Sequence, residues 1–459
     1  MTPAPSTAAH RAPDISTRAF FTLGWPLLVA NLAVVGAGTI DTIMAGRLSA
    51  TDLAAVALGS AIYISAYIGL MGVLQALSPI AGQHYGAQRW RAIGDDLQQA
   101  LWLSIFLTLI GLPFVLATDV WLDFSRADDA VASIATTYLY AIAIGLPAAL
   151  GARVFVALNA AVSRPQITMW INVFALALKV PLNAIFMSGA GPIPAMGGAG
   201  AGVATAVLAW ITLALSLAVW RLHPYFQRFH SERVQPPRWS SQRGLLKLGI
   251  PIGLSMLFEV TSFTFMAVLI ARLGTAAVAG HQIVGNLAAL LFMMPLALGV
   301  STSVLVAQSL GANDARAARS AALRGFRLAI SISIASAAIV WLVREPIVEL
   351  YTNDVAVTAV ALSLMGWAAV FHVFDAAQGV CGFALRGYKS TLWPMVIYGV
   401  ALWGIGLVGG WWIALHVTPF GPPRGPLGFW EAATVALAIT AIALAWLAAN
   451  VSRRRVTQT

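Results

Sequence analysis

The 459-residue chain is expected to fold as an all-α polytopic membrane protein, with twelve transmembrane helices in two six-helix bundles related by a pseudo-twofold axis along the membrane normal. Three observations predict this. Hydrophobic residues make up 59% of the chain and charged residues 10%, with a mean hydropathy of +0.82. Soluble domains carry roughly 25% charged residues, and a soluble chain of this length needs far more polar surface. The apolar residues fall in blocks of about 20, the length that crosses a bilayer at about 1.5 Å per residue. Finally, the chain repeats itself at an offset of 225 residues.

In order along the chain, hydropathy and breaker residues place helices at 20–45, 53–82, 97–117, 130–152, 166–188, 199–221, 246–271, 279–307, 326–343, 355–385, 392–416 and 429–450. Residues 1–19 form a polar, Pro-rich tail without the compact apolar core of a signal peptide, so no cleavage is expected. Residues 20–221 form the N-lobe and 246–450 the C-lobe. The segment 222–245, with His223, Pro224, Pro236 and Pro237, is the linker, and 451–459 is a basic tail.

Charge orients these elements. Twelve spans leave both termini on one side, and 21 of the 27 Lys and Arg fall there, Arg11, Arg228 and Arg453 among them. Five fall on the other side, and Lys179 lies within a helix. The positive-inside rule makes the 21-residue side cytoplasmic. The net charge of +10 is therefore a topology signal, and no nucleic-acid partner is called for. Cys381 is the only cysteine, which excludes an intramolecular disulfide and a cysteine zinc cluster.

The repeat is gapless over a long stretch. Gly24 and Pro26 fall on Gly249 and Pro251, Arg47 and Leu48 on Arg272 and Leu273, and Gln83, Gly86 and Ala87 on Gln308, Gly311 and Ala312. Later, Arg164 falls on Lys389. Six helices per half keep the halves in the same orientation. Parallel repeats of this kind are a common design of secondary transporters, with substrate bound between the halves. Duplication also builds channels and membrane enzymes.

Three acids sit well inside apolar helices: Asp41 in the first, Glu259 in the seventh and Asp375 in the tenth. An acid at helix centre costs about 2.5–3.5 kcal/mol on the insertion scale, and such a residue usually serves an ion, proton or substrate path. Two carboxylates in a dry site repel, so Glu259 and Asp375 are expected to share a proton or bind a cation. Na+ or H+ suits the pair, and Na+ would find hard oxygen ligands there. Asn286 offers a carbonyl oxygen, and Phe371, four residues before Asp375, offers a π-face. For both, plain packing is the alternative. The repeat maps Glu259 to Val34, Asp375 to Leu150 and Asp41 to Met266. The scaffold is duplicated and its acids are not, which places cation chemistry mainly in the second half. For Asp41 the expected partner is Lys179, since an unpaired charge at that depth is expensive. The alternatives are a neutral Lys179 or one that snorkels to the interface.

Pro26, Pro147, Pro181, Pro251 and Pro295 interrupt helices. Pro26 and Pro251 are candidate hinges, although many membrane helices carry proline bends without consequence. The remaining motifs are negative. Gly198, Gly200 and Gly202 precede a helix but follow no strand, so close helix packing explains them. There is no GxxxxGK[ST], which disfavours ATP drive, and the seven histidines show no metal spacing.

With these residues in view, the chain resembles the multidrug and toxic compound extrusion (MATE) family, and its NorM-like branch in particular, over nearly its whole length. The matching motifs are IDTIMAG at Ile40–Gly46, LGIPIGLSMLFEVTSF at Leu248–Phe263, VAGHQ at Val278–Gln282, QSLGA at Gln308–Ala312 and ALRGYK at Ala384–Lys389. The resemblance implies a V of two bundles that exports cationic, often aromatic drugs or dyes in exchange for Na+ or H+. It implies a cation site at Glu259 and Asp375, and a first-lobe cavity network at Asp41. The chain departs from the pattern in helix 5, where Lys179 stands in place of the usual Asn in an N-x-P-L-N-like segment ending at Asn183. A fixed ammonium competes with any cation there, which strengthens the case for the second lobe. The expectation is thus a multidrug antiporter conferring antibiotic resistance, monomeric, surrounded by lipids of the bacterial inner membrane, with no cofactor and no enzymatic activity. A lipid-linked precursor flippase of related architecture and a channel are the rival readings.

Overall fold

The computed structural model describes residues 13–458 apart from 232, 418 and 420, and apart from the side chain of residue 124. Arg11 and most of the N-terminal tail lie outside the described residues. Among the described residues, twelve helices are long and apolar enough to cross a membrane. They are α1 Thr17–Leu48, α2 Ala50–Gly86, α3 Trp90–Leu116, α4 Asp129–Ala161, α5 Pro165–Ser188, α6 Gly198–Leu222, α7 Trp239–Ala271, α8 Thr275–Gly311, α9 Ala315–Leu342, α10 Val355–Gly387, α11 Leu392–Leu415 and α12 Pro426–Thr457.

Many extend beyond their apolar cores. α9 begins at Ala315 rather than 326, and its added turns carry Arg316, Arg319 and Arg324. The 37 residues of α8 span about 55 Å against a hydrocarbon core of about 30 Å. Hydropathy registers the lipid-embedded part of a helix and misses polar turns that run on into the headgroups and water. The candidate proline breaks also resolve differently. Pro26, Pro147, Pro181, Pro251 and Pro295 lie inside helices that continue past them. α2 instead divides into Ala50–Leu74 and Leu77–Gly86, and Pro79, which has no N–H to offer the Gln75 carbonyl, lies just past the break. The central turns of α11, Gly399–Val408, are π-helical.

Local caps follow from the residue types. Ser49 ends α1 and begins α2: its N–H reaches Ala45 O, and its hydroxyl accepts from Asp52 N at 2.9 Å. Asp52 in turn accepts from Gly198 N at 2.6 Å, which places a carboxylate at the start of α6. The glycine run behaves as close packing. A Cβ at Gly202 would come within 2.8 Å of Tyr138 O.

Each lobe has its own core. Leu97, Leu139, Leu146 and Leu158 centre the first, and Ile270, Val284, Leu364 and Trp430 the second. A third cluster joins the lobes, with Phe20, Leu23 and Ala160 against Leu298, Leu305 and Val380. It lies at the end of the molecule that carries both described chain ends. The lobe contact runs from α1 and the second part of α2 to α8, and from α2 to α7. The molecule is therefore a V, closed at that end.

The closed end is built reciprocally. Gln83 Nε2 donates to Gly387 O at 3.3 Å, and its repeat mate Gln308 donates to Ala161 O at 2.8 Å and to Ser163 Oγ at 2.9 Å. A Cβ on Gly86 would overlap the Gln308 carbonyl, and one on Gly311 the Gln83 carbonyl. Gln88 and Asn313, offset by 225, share a left-handed backbone (φ 56° and 59°). By the end of α4 the offset has become 226, since Ser163 and Lys389 share the next left-handed turn (φ 57° and 58°). Asp375 therefore matches Ala149 rather than Leu150, and still has no acidic counterpart.

The linker is not a loose tether. Phe226 and Phe229 are buried in the N-lobe core, and the guanidinium of Arg228 lies 4.2 Å from the ring centre of Tyr225 and 4.7 Å from that of Trp90. Further along, Gln235 N donates to Gln98 Oε1 at 2.7 Å, and Trp102 Nε1 donates to Gln235 O at 3.0 Å. Gln99 binds Pro236 O and Arg238 N at 2.9 and 2.8 Å. All these partners lie on α3.

Candidate functional site

In the second lobe Glu259 comes from α7 and Asp375 from α10, in helices that run in opposite directions. The sequence places them at different distances from their helix ends, yet they meet on one side chain. Gln378 Nε2 donates to Asp375 Oδ1 at 2.9 Å and to Glu259 Oε1 at 3.1 Å. Gln378 lies one helical turn beyond Asp375, on the same face of α10. Its carbonyl Oε1 accepts from the Tyr398 hydroxyl of α11. Gln378 and Tyr398 are buried, Asp375 is 9% exposed and Glu259 half-buried. Two acids are thus held together by a neutral amide rather than by a cationic side chain.

A cation lies nearby without closing on them. Arg386, in the last turn of α10, sits over the Phe383 ring at 4.1 Å, and its Nη1 is buried without a hydrogen-bond partner. With Ser255, Thr391 and Tyr398 it lines a small cavity on the closed side of the carboxylates.

Asn286 and Phe371 take no part in these hydrogen bonds. Asn286 is exposed on α8 and forms no hydrogen bond to either acid. Phe371 is buried in an aromatic cluster, with its ring centre 5.3 Å from Trp430 and 6.3 Å from Phe263. Trp430 Nε1 donates to His281 Nδ1 at 3.2 Å in the same cluster. Packing accounts for Phe371. No cluster of three or more His, Cys, Asp or Glu with metal-binding geometry occurs among the described residues.

The first lobe is built differently. Lys179 Nζ lies 2.8 Å from Asp41 Oδ1 and donates to Thr205 Oγ1 at 2.6 Å. Asn183 Nδ2 donates to Asp41 Oδ1 at 2.7 Å. Lys179 is 1% exposed, so it neither snorkels nor reaches solvent. Its ammonium occupies the position of a counter-ion. Asn183 Oδ1, also buried, has no hydrogen-bond partner. Pro26 and Pro251 are buried symmetry mates close to the lobe interface: a Cβ on Gly24 would lie 3.6 Å from Ser301 Oγ, and Gly253 packs on Gly69 O.

Sequence reasoning paired Glu259 with Asp375 and Asp41 with Lys179. It passed over Gln378, Tyr398 and Thr205, and it assigned Arg386 to a cytoplasmic loop. Gln378 did leave a signal, as an amide one turn from an intramembrane acid in an otherwise apolar stretch.

The chain is similar to known proteins over most of its length. The MatE family model matches residues 26–185 and 251–412, two segments that begin 225 residues apart. A "Probable multidrug resistance protein NorM" from Aromatoleum aromaticum is 41% identical over 435 residues, covering 94% of this chain and 93% of that one. The "Multidrug resistance protein MdtK" of Photorhabdus laumondii is 34% identical, covering 93% of each. Among solved structures, the Vibrio cholerae MATE transporter VcmN in the bent form superimposes with a TM-score of 0.83 at 19% identity, covering 95% of this chain and 97% of that one.

Proposed function

The chain belongs to the MatE family, and on that premise we propose that it is a secondary multidrug efflux transporter, exchanging cationic or lipophilic drugs for Na+ or H+ at Glu259 and Asp375. One observation carries this reading. The two acids of the second lobe face one another across a neutral amide, while the acid of the first lobe is already matched by Lys179. Only the former pair has negative charge left to attract an ion.

The V is closed at the end rich in Lys and Arg, which we take as cytoplasmic, with the protein a monomer in the bacterial inner membrane. An ion entering from the open side binds the carboxylates in their low-dielectric setting. The inward membrane potential favours that step by about 2.3 kcal/mol per charge per 100 mV. Ion binding removes the negative charge that would hold a cationic drug, so ion and drug exclude one another and each turnover exchanges them. The Asp41–Lys179–Asn183 network lines the first-lobe side and positions that wall without binding an ion. A flippase for anionic lipid-linked precursors calls for free positive charge in the central cavity; the ammonium of Lys179 is taken up by Asp41, and Arg386 is buried at the closed side of the two acids.

The test is dye efflux from proteoliposomes, with Na+ and pH gradients imposed separately. E259Q and D375N should each abolish ion-driven efflux while the protein stays monodisperse. Normal efflux in either would refute the assignment.

A further inference from the structure

We propose that Gln378 is a third member of the coupling-ion site: its amide NH2 stands between Glu259 and Asp375 where the ion binds, and it gives way to that ion, with Tyr398 acting on the site through Gln378. The proposal rests on reading the two acids as the ion site.

The geometry supports it bond by bond. An amide nitrogen has two N–H groups, and Nε2 has one carboxylate in reach of each, at 2.9 and 3.1 Å. The positive end of the amide dipole therefore lies between two negative groups, the place a bridging cation would take. Both Asp375 Oδ1 and Glu259 Oε1 are engaged by it, so an arriving ion must break those bonds. Half a turn about the terminal torsion of Gln378 exchanges N and O in nearly the same volume, and that torsion is intrinsically soft. Oε1 then faces the carboxylates as a third hard oxygen for Na+, or as the acceptor for a newly protonated carboxyl. NH2 then faces Tyr398, whose hydroxyl changes from donor to acceptor without moving. Gly382 leaves room for that hydroxyl, since a Cβ there would come within 3.0 Å of it. Glu259, Gln378 and Tyr398 belong to α7, α10 and α11, so the state of one amide is felt by three helices.

The prediction has a sign. The ion must break two N–H bonds to carboxylates and gains one carbonyl oxygen in return, so removing the amide should on balance tighten ion binding. In Q378M the Na+ concentration, or the H+ concentration, that half-saturates dye efflux in proteoliposomes should fall roughly tenfold, the worth of a hydrogen bond to a charged group. The maximal rate should fall as well, because the ion leaves more slowly. Q378L, near the native volume, uncharged and also without the N–H pair, should shift the half-saturation the same way, and it carries the test if Q378M fails to fold. Y398F should shift it less, and Q378M/Y398F should match Q378M alone, because Tyr398 acts only through Gln378. Half-saturation unmoved in both Gln378 variants, or additive effects of Q378M and Y398F, would overturn the proposal. If E259Q and D375N abolish ion dependence while the Gln378 variants leave half-saturation unchanged, this inference fails and the ion-site reading stands. If E259Q and D375N leave ion dependence intact, both fail.

Discussion

Lys179 is held by Asp41 at 2.8 Å and Thr205 at 2.6 Å, with almost no surface of its own exposed. Truncating one partner of such a buried pair strands the other charge, which costs about 3–5 kcal/mol. K179M should therefore lower the thermal midpoint in detergent markedly, and D41N/K179M should recover most of the loss, since replacing both partners leaves no bare charge. Equal midpoints for K179M and the double variant would count against the pair. This contact was legible in the sequence, because a single buried base has few partners to choose from. Gln378 was legible only as an amide one turn from Asp375, since a neutral side chain raises no electrostatic alarm and its bonds to Glu259 and Tyr398 arise only when α7 and α11 close around α10. Asn286 and Phe371 are the converse case: their chemistry suits an ion, and the structure shows Asn286 exposed on α8 and Phe371 packed among aromatic rings.

At the scale of elements, the repeat recurs in the contacts that close the V. Gly86 and Gly311 each press on the carbonyl of the other lobe's glutamine, and neither tolerates a Cβ without displacement. G311A should therefore loosen the closed end more than it unfolds either lobe, because both lobe cores lie elsewhere. Spin labels at R91C and R316C, in a C381S background, should report a longer distance in G311A than in the parent. An unchanged distance would mean that the glycine contact does not hold that end shut. The number, order and approximate bounds of the helices were readable because each must hide its backbone polar groups from lipid. The break in α2 was passed over because Pro79, which leaves the Gln75 carbonyl without its N–H partner, is hidden in an apolar stretch, and the π-helical turns of α11 fall in a run that reads as continuous apolar helix. Tyr225 illustrates dependence on context outside the membrane: burial, with Tyr85 adding to it, pushes its phenol up to about 12. Its hydrogen bond to Val162 O should therefore persist well above pH 10 and be lost as pH rises through about 12. Tyrosine fluorescence of a Y225F pair across that range would detect the transition.

For the whole molecule, the distribution of Lys and Arg gives an orientation that proteolysis can check. Trypsin should cut the linker in inverted vesicles and spare it in right-side-out ones; the reverse pattern would overturn the cytoplasmic assignment. Cutting should be several-fold faster in Q99A, which removes the bonds to Pro236 and Arg238 that hold the linker on α3. That fastening has a consequence for how the two halves are joined. The linker runs along the lobe that precedes it, and the second lobe is clasped by Gln83, Gln308 and the apolar contacts of α1 and α8. The peptide bonds between the halves therefore carry little of the load. Two polypeptides made from separate genes, one ending at His230 and the other beginning at Val234, should find each other in the membrane and rebuild a working transporter. The duplication would then run in reverse, from one chain back to a heterodimer of its ancestral halves.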